Sequence, residues 1–223
     1  MYTIPKGVKQ PKWVHDHFDM LNQVTKRLST KQLACTSKLS EIAAQYKNET
    51  DKSPSSSYYI KHNYTEFYGD LLEKWVAQGA SLLEIGVRDG GSLQMWRDFL
   101  EDGKVYGLDL SLKNYKFPAC EGIVLTQGNA YASKVVQNFF PGVLFDIIVD
   151  DGSHALSDQT QVLNLYNSRL KPGGVIIIED IKDLANARTI IENFTGRRNK
   201  VSIVDRRHCV PSLDDINVIY FNT

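Results

Sequence analysis

Two adjacent carboxylates, Asp150 and Asp151, end an apolar run, and a histidine follows three residues after Asp151, at His154. Another pair, Glu179 and Asp180, ends the next apolar run. Carboxylates at the ends of buried strands are costly to desolvate. If neighbouring parallel strands bring three or four of them together, each raises the pKa of the others. A hard divalent cation removes that conflict, and an oxygen-only donor set favours Mg²⁺, Mn²⁺ or Ca²⁺ over zinc. Asp151, Glu179 and Asp180 are therefore candidate metal ligands. The competing reading is helix capping, a role open to Asp180 and Asp183. His154 lies just outside Asp151. Beside a metal that acidifies a bound hydroxyl, a neutral imidazole there takes the proton. Without the carboxylates it would read as a helix-entry histidine with a structural hydrogen bond.

A second group of residues suits a nucleoside. LLEIGVRDGGS places Gly86, Gly90 and Gly91 in the turn after an earlier apolar run. Glycines there let backbone N–H groups approach a ligand. The spacing is Gly-x-x-x-Gly-Gly, which is neither the dinucleotide-binding G-x-G-x-x-G nor a P-loop. A plain tight turn is the alternative. Asp109 ends the following run, about twenty residues on, where an acidic side chain accepts hydrogen bonds from ribose hydroxyls. Asn129 ends the run after that. It either reaches an adenine edge or serves as a turn residue.

These residues need a scaffold that gathers run ends. Short β-rich runs fall at 81–87, 104–110, 122–128, 145–151, 174–180, 200–206 and 217–222. Helical segments such as SLQMWRDFL, ASKVVQNFF and SDQTQVLNLYNSRL separate the first five. That alternation predicts an open α/β sheet of seven strands, mostly parallel, with helices on both faces. The last two runs are joined by a short polar stretch, which predicts a final antiparallel strand at the sheet edge. Ligands bind at the carboxyl ends of such strands. Upstream, 15–28 and 31–46 have helical spacing, and DKSPSSS at 51–57 reads as a loop. The expected division is an N-terminal helical extension and loop over 1–57 and one α/β domain over 58–223.

Composition narrows the class. Lys+Arg and Asp+Glu both number 26, so the formal net charge is zero, which argues against nucleic-acid partners. Three cysteines, Cys35, Cys120 and Cys209, show no CxxC spacing, so a disulfide framework is not expected. No segment reaches the length of a membrane span. A cytoplasmic location is the expectation, with the N-terminal helices as candidates for homo-oligomer formation.

Glu84-Ile85-Gly86-Val87-Arg88-Asp89-Gly90-Gly91-Ser92, Asp109, and Leu170-Lys171-Pro172-Gly173-Gly174 together resemble the class I S-adenosylmethionine-dependent methyltransferases. The resemblance implies a Rossmann-like fold with S-adenosylmethionine as cofactor. Glu84, Gly86, Arg88, Gly91 and Ser92 would line it, Asp109 would take the ribose, and Asn129 the adenine, where relatives often carry Asp. Asp150 stays open between touching the cofactor, orienting His154 and backing the metal ligands.

Asp151, His154, Glu179 and Asp180 are similar in type and spacing to the metal-dependent sugar O-methyltransferases of macrolide biosynthesis, the macrocin and mycinamicin type. So are Thr50-Asp51-Lys52, His62-Asn63-Tyr64-Thr65 and Tyr68. The resemblance covers about residues 50 to 222. It implies Tyr64 and Thr65 beside the cofactor, Mg²⁺ or Mn²⁺ on Asp151, Glu179 and Asp180, and His154 as base. The acceptor would be a vicinal diol on a sugar or glycosylated small molecule. Tyr58, Tyr59, Arg206, Arg207 and His208 lie in segments that would shape its pocket and suit a polar, acidic glycoside. The alternatives are a catechol-type O-methyltransferase, a metal-dependent hydroxylase on the same scaffold, and a binding protein with a decayed site.

Overall fold

The computed structural model describes residues 37–53, 55–58, 62–207 and 215–222. The chain divides into two compact units, 1–36 and 37–223. The first lies outside the described residues, and with it the helix expected at 15–28 and the proposed route to oligomers. Of the helix expected at 31–46, Lys38–Gln45 is helical and is α1 here.

The second unit is built on seven strands: β1 (Ser81–Ile85), β2 (Lys104–Asp109), β3 (Ile123–Gln127), β4 (Phe145–Asp150), β5 (Leu170–Ile178), β6 (Val201–Asp205) and β7 (Ile216–Phe221). The other helices are α2 (Tyr64–Leu72), α3 (Gly91–Leu100), α4 (Ser133–Asn138), α5 (Leu156–Tyr166) and α6 (Leu184–Asn193). The sheet order is β3-β2-β1-β4-β5-β7-β6. Strands β3, β2, β1, β4 and β5 pair in parallel; β7 is antiparallel to both its neighbours. The expected fold class is therefore present, with one correction. The antiparallel strand is not at the edge but between β5 and β6. Its residues Ile216 to Tyr220 are all buried, as an interior strand requires, and β6 forms the edge.

Strands β1, β4 and β5 carry near-continuous apolar runs, such as Ile147-Ile148-Val149 and Val175-Ile176-Ile177-Ile178, all buried. Parallel strands covered on both faces need this pattern. Leu83, Ile85, Ile148, Ile176, Ile178 and Val218 join one cluster with Val162 and Leu163 of α5 and Ile190 of α6. Their alternate neighbours face the other side of the sheet. On that side Glu84 receives a hydrogen bond from Trp96 of α3, and α1 packs on α2 and α3. α3 starts from Gly90 at φ 91°, a left-handed entry that glycine adopts without strain. No helix of the described residues is long and apolar enough to cross a membrane.

Candidate active site

The sheet order reverses direction between β1 and β4, the switch point where open α/β sheets bind ligands. Pairing sets Ile85 beside Asp150 and Asp150 beside Ile178, so three strands end level with one another. Glu84, Val149 and Ile177 are likewise in register. Side chains alternate along a strand, so Asp151 and Glu179 continue on the face of Glu84, and Asp150 points to the other.

All three carboxylates of the first face meet one cation. Lys52 Nζ lies 2.6 Å from Asp151 Oδ2, 2.5 Å from Glu179 Oε2 and 3.7 Å from Glu84 Oε1. Lys52 is 1% exposed. Glu179 Oε1 also accepts from Tyr68 Oη at 2.8 Å. Glu84 is closed off by Ser92 Oγ (2.6 Å) and Trp96 Nε1 (3.1 Å). Glu84 and Ser92, both expected beside the cofactor, bond to each other at the start of α3.

Asp180 leaves the strand at φ 53° and His154 sits at φ 55°. Such backbones are uncommon outside glycine and are retained where the surroundings fix them, often at functional sites. Alternation ends at Asp180, whose Oδ1 accepts from Tyr64 Oη at 2.5 Å. His154 Nε2 is 3.8 Å from both Asp151 Oδ1 and Asp180 Oδ2. One ligand atom each from Asp151, His154 and Asp180 fall within 4.8 Å of one another. His62 flanks Asp180 from the other side, with Nε2 3.6 Å from Oδ2 and its ring stacked on Tyr64. The capping alternative holds for Asp183, whose side chain accepts from Asn186 N at the start of α6.

Charge at this end of the sheet is unbalanced. Asp51, Glu84, Asp150, Asp151, Glu179 and Asp180 converge there, with Lys52 the buried ammonium among them. Burial pushes Glu84, Asp150 and Asp180 up to about 7, helped in each case by Asp151. Burial also raises Glu179, against the pull of Lys52. For Lys52, burial opposes the charge, but Asp151, Glu179, Glu84 and Asp51 outweigh it and hold the amine protonated. This surplus of hard oxygen donors fits a divalent cation on Asp151 and Asp180. Glu179, the third expected ligand, has both oxygens engaged by Lys52 and Tyr68.

The nucleoside side is assembled differently. Gly86 has φ 87°, and a Cβ there would stand 2.0 Å from the carbonyl oxygen of Asp151. Only glycine lets the two loops approach so closely. Asp109 Oδ2 accepts from Val87 N (2.7 Å) and Arg88 N (3.1 Å), and Oδ1 accepts from Ser111 N (2.9 Å). The carboxylate therefore fixes the glycine turn and sits at its mouth. Asp150 Oδ1 accepts from Tyr131 Oη at 2.7 Å, and the same hydroxyl accepts from Ser153 N. Asp150 thus belongs with the loop after β3, on the face away from Lys52. Asn129 Oδ1 accepts from Tyr131 N, the turn role weighed for it.

Other expected cofactor residues are tied to the segment before α2. Arg88, at φ 48°, lies over the Tyr58 ring at 4.4 Å and 3.6 Å from Asp51 Oδ2. Gly91 is pressed against Glu49, where a Cβ would be 2.5 Å from its carbonyl oxygen. Thr65 is fully buried and its hydroxyl meets Ser40 Oγ of α1 at 2.8 Å, so it faces that helix. Tyr64 reaches Asp180, on the acidic side of the site. Of the acceptor-pocket residues, Arg206 is buried and donates to Asn63 O, and Arg207 pairs with Asp205. Tyr59 and His208 lie outside the described residues.

Lys52, His62 and Tyr131 carry contacts that residue-type reasoning assigned to none of them. A lone lysine in a Ser-rich loop reads as solvated. The only hint was its place in Thr50-Asp51-Lys52, a short run upstream of the histidine-tyrosine segment.

Residues 83–181 match a family described as a methyltransferase domain. A tetracenomycin-pathway enzyme of Streptomyces olivaceus, an 8-demethyl-8-alpha-L-rhamnosyl tetracenomycin-C 2'-O-methyltransferase, is 29% identical over 54% of this chain and 34% of its own length. The mycinamicin VI 2''-O-methyltransferase of Micromonospora griseorubida is 27% identical over 79% of this chain and 47% of its own. The chain thus spans a third to a half of the curated relatives it matches. Among solved structures, the MycE methyltransferase of the mycinamycin pathway, in complex with Mg, SAH and mycinamycin VI, is 21% identical with a TM-score of 0.57. That similarity covers 99% of this chain and 68% of that one, and it shows the shared fold. CmcI in an apo form is 25% identical, TM-score 0.58, over 77% and 78% of the two chains.

Proposed function

From the premise that residues 83–181 carry a methyltransferase domain, we propose that this protein is a divalent-metal-dependent O-methyltransferase acting on a sugar hydroxyl. The observation that carries the reading is the meeting of Asp151, His154 and Asp180 beside the β1/β4 switch point. Asp151 and Asp180 would hold Mg²⁺ or Mn²⁺, with Glu179 as a third ligand if it leaves a present partner. Asp109, the Gly86 turn and Asp150 would hold S-adenosylmethionine. Bound together, the cofactor supplies the methyl group and the metal supplies positive charge beside the acceptor oxygen.

The chain's own residues do the rest. His154 is half-exposed on the loop after β4, so an acceptor reaches it from solvent. Its Nε2 takes the proton of the attacking hydroxyl. Tyr64 and His62 hold Asp180 in place. An acceptor with two neighbouring oxygens, a vicinal diol, would suit a hard cation that Asp151 and Asp180 leave open to further oxygen donors. The relatives named for methylating a rhamnosyl tetracenomycin and mycinamicin VI favour a glycoside over a catechol.

The test is incubation with S-adenosylmethionine, Mg²⁺ and a panel of deoxyhexose glycosides. S-adenosylhomocysteine should form together with a methyl ether, and excess EDTA should stop both. Turnover unaffected by EDTA would remove the metal, and a product that gains oxygen instead of methyl would point to the hydroxylase reading. His154→Ala should lower turnover by roughly 10²–10⁴-fold while S-adenosylhomocysteine affinity stays near wild type.

A further inference from the structure

Lys52 already neutralises two of the three carboxylates in the expected ligand set. Its Nζ contacts Asp151 Oδ2 and Glu179 Oε2. Both partners belong to the expected ligand set, so ammonium and divalent cation draw on the same carboxylates. Two cations held on the same carboxylates repel each other strongly. Nor can a buried ammonium be left without a partner. Glu84 offers one: Oε1 stands 3.7 Å from Nζ, and Ser92 and Trp96 hold the carboxylate still. A lysine's flexible four-carbon stem permits such a shift.

We propose that Lys52 is a resident counter-ion of this site, which moves off Asp151 and Glu179 and onto Glu84 when a divalent cation binds. The proposal rests on the metal-dependent reading above. It makes Lys52 a positioning residue that sets cation affinity from a segment outside the strand ends. That segment is tied to the site's other residues: Tyr64 N donates to Lys52 O, and His62 N donates to Asp51 O. Cation binding would therefore be felt where α2 begins.

Mn²⁺ binding to the full chain, followed by electron paramagnetic resonance, tests this without turnover. Wild type should bind Mn²⁺, and Lys52→Met should bind it at least tenfold more tightly because the competing charge is gone. In EDTA, Lys52→Met should melt below wild type, and Mn²⁺ should raise its Tm by more than it raises the wild-type value. Lys52→Arg, which keeps the charge, should bind Mn²⁺ less tightly than Lys52→Met. Equal or weaker Mn²⁺ affinity in Lys52→Met overturns the proposal. If Lys52→Met folds in no condition, a crystal structure of wild type with Mn²⁺ decides. Nζ hydrogen-bonded to Glu84 supports the shift, and Nζ still on Asp151 and Glu179 overturns it. Wild type that binds no Mn²⁺ at all would instead bring down the metal-dependent reading.

Discussion

The nucleoside side and the acidic side of this cleft lie on the same sheet end, yet they are held by different kinds of contact. Asp109 is satisfied by backbone N–H groups of Val87, Arg88 and Ser111, all from its own strand end or the adjoining turn. Asp151, Glu179 and Asp180 are satisfied by side chains of Lys52, Tyr68 and Tyr64, from residues far away in the chain. One side is fixed by the strand–turn–helix unit itself. The other exists only once Lys52 and the first turns of α2 have docked. Asp109 and its turn contacts should tolerate changes at Lys52, Tyr64 and Tyr68; the acidic side should not.

Changes at the acidic side should separate the two halves most sharply. Asp151→Asn removes an expected ligand and a partner of Lys52. Metal charge stabilisation is worth several kcal/mol, so turnover should fall about a thousandfold or more. S-adenosylhomocysteine binding, read by calorimetry, should survive. Loss of both activities together would mean that the halves are not independent.

Gly86→Ala attacks the junction instead. Its Cβ would meet the Asp151 carbonyl at 2.0 Å, with backbone on both sides and a φ that disfavours side chains. A destabilisation of about 3 kcal/mol is expected, or a Tm lower by roughly 6–12 °C. An unchanged melting curve would show that the two loops can part freely.

Asp109→Ala is the counterpart on the nucleoside side. Losing the carboxylate that fixes the turn and is expected to take the ribose should weaken S-adenosylhomocysteine binding by about 10–100-fold. Mn²⁺ affinity should hold steady, and a parallel loss of it would erase the distinction between the halves.

The pH response should be smaller and specific to the acidic residues. Glu84, Asp150 and Asp180 have pKa values raised to about 7 in the folded chain, above their ordinary values. The folded state then binds more protons than the unfolded state between about pH 4 and pH 7. Metal-free protein should therefore lose stability as pH rises through that window. Mg²⁺ should restore more of it at pH 7.5 than at pH 5.5, as read from melting temperatures. A metal-free Tm that climbs across the window would contradict this.

Much of this was legible along the chain. Apolar runs alternating with helical spacing fixed the seven strands, and strand-end position marked Asp109, Asp151, Glu179 and Asp180 as candidates that the sheet brings to one end. The place of β7 was not legible. Its burial on both faces sets it between β5 and β6, whereas the short polar connection suggested only an antiparallel neighbour. The split between Asp150 and Asp151 was available in principle, because alternation sends adjacent residues to opposite faces, but it needs the register with Glu84.

What the sequence by itself determined is local: which segments become strands, which turns need glycine, and which acidic residues stand at strand ends. Those follow from side-chain periodicity and backbone sterics within a few residues. Only the tertiary structure decided the partners. A lysine in a polar loop became a buried ammonium among three carboxylates, and Glu84 turned inward to Ser92 and Trp96. The neighbours of Lys52 in the chain mark the segment but do not name its partners. Electrostatic partners at a sheet end are chosen by proximity after folding, when burial strengthens each charge and leaves an unpaired one untenable.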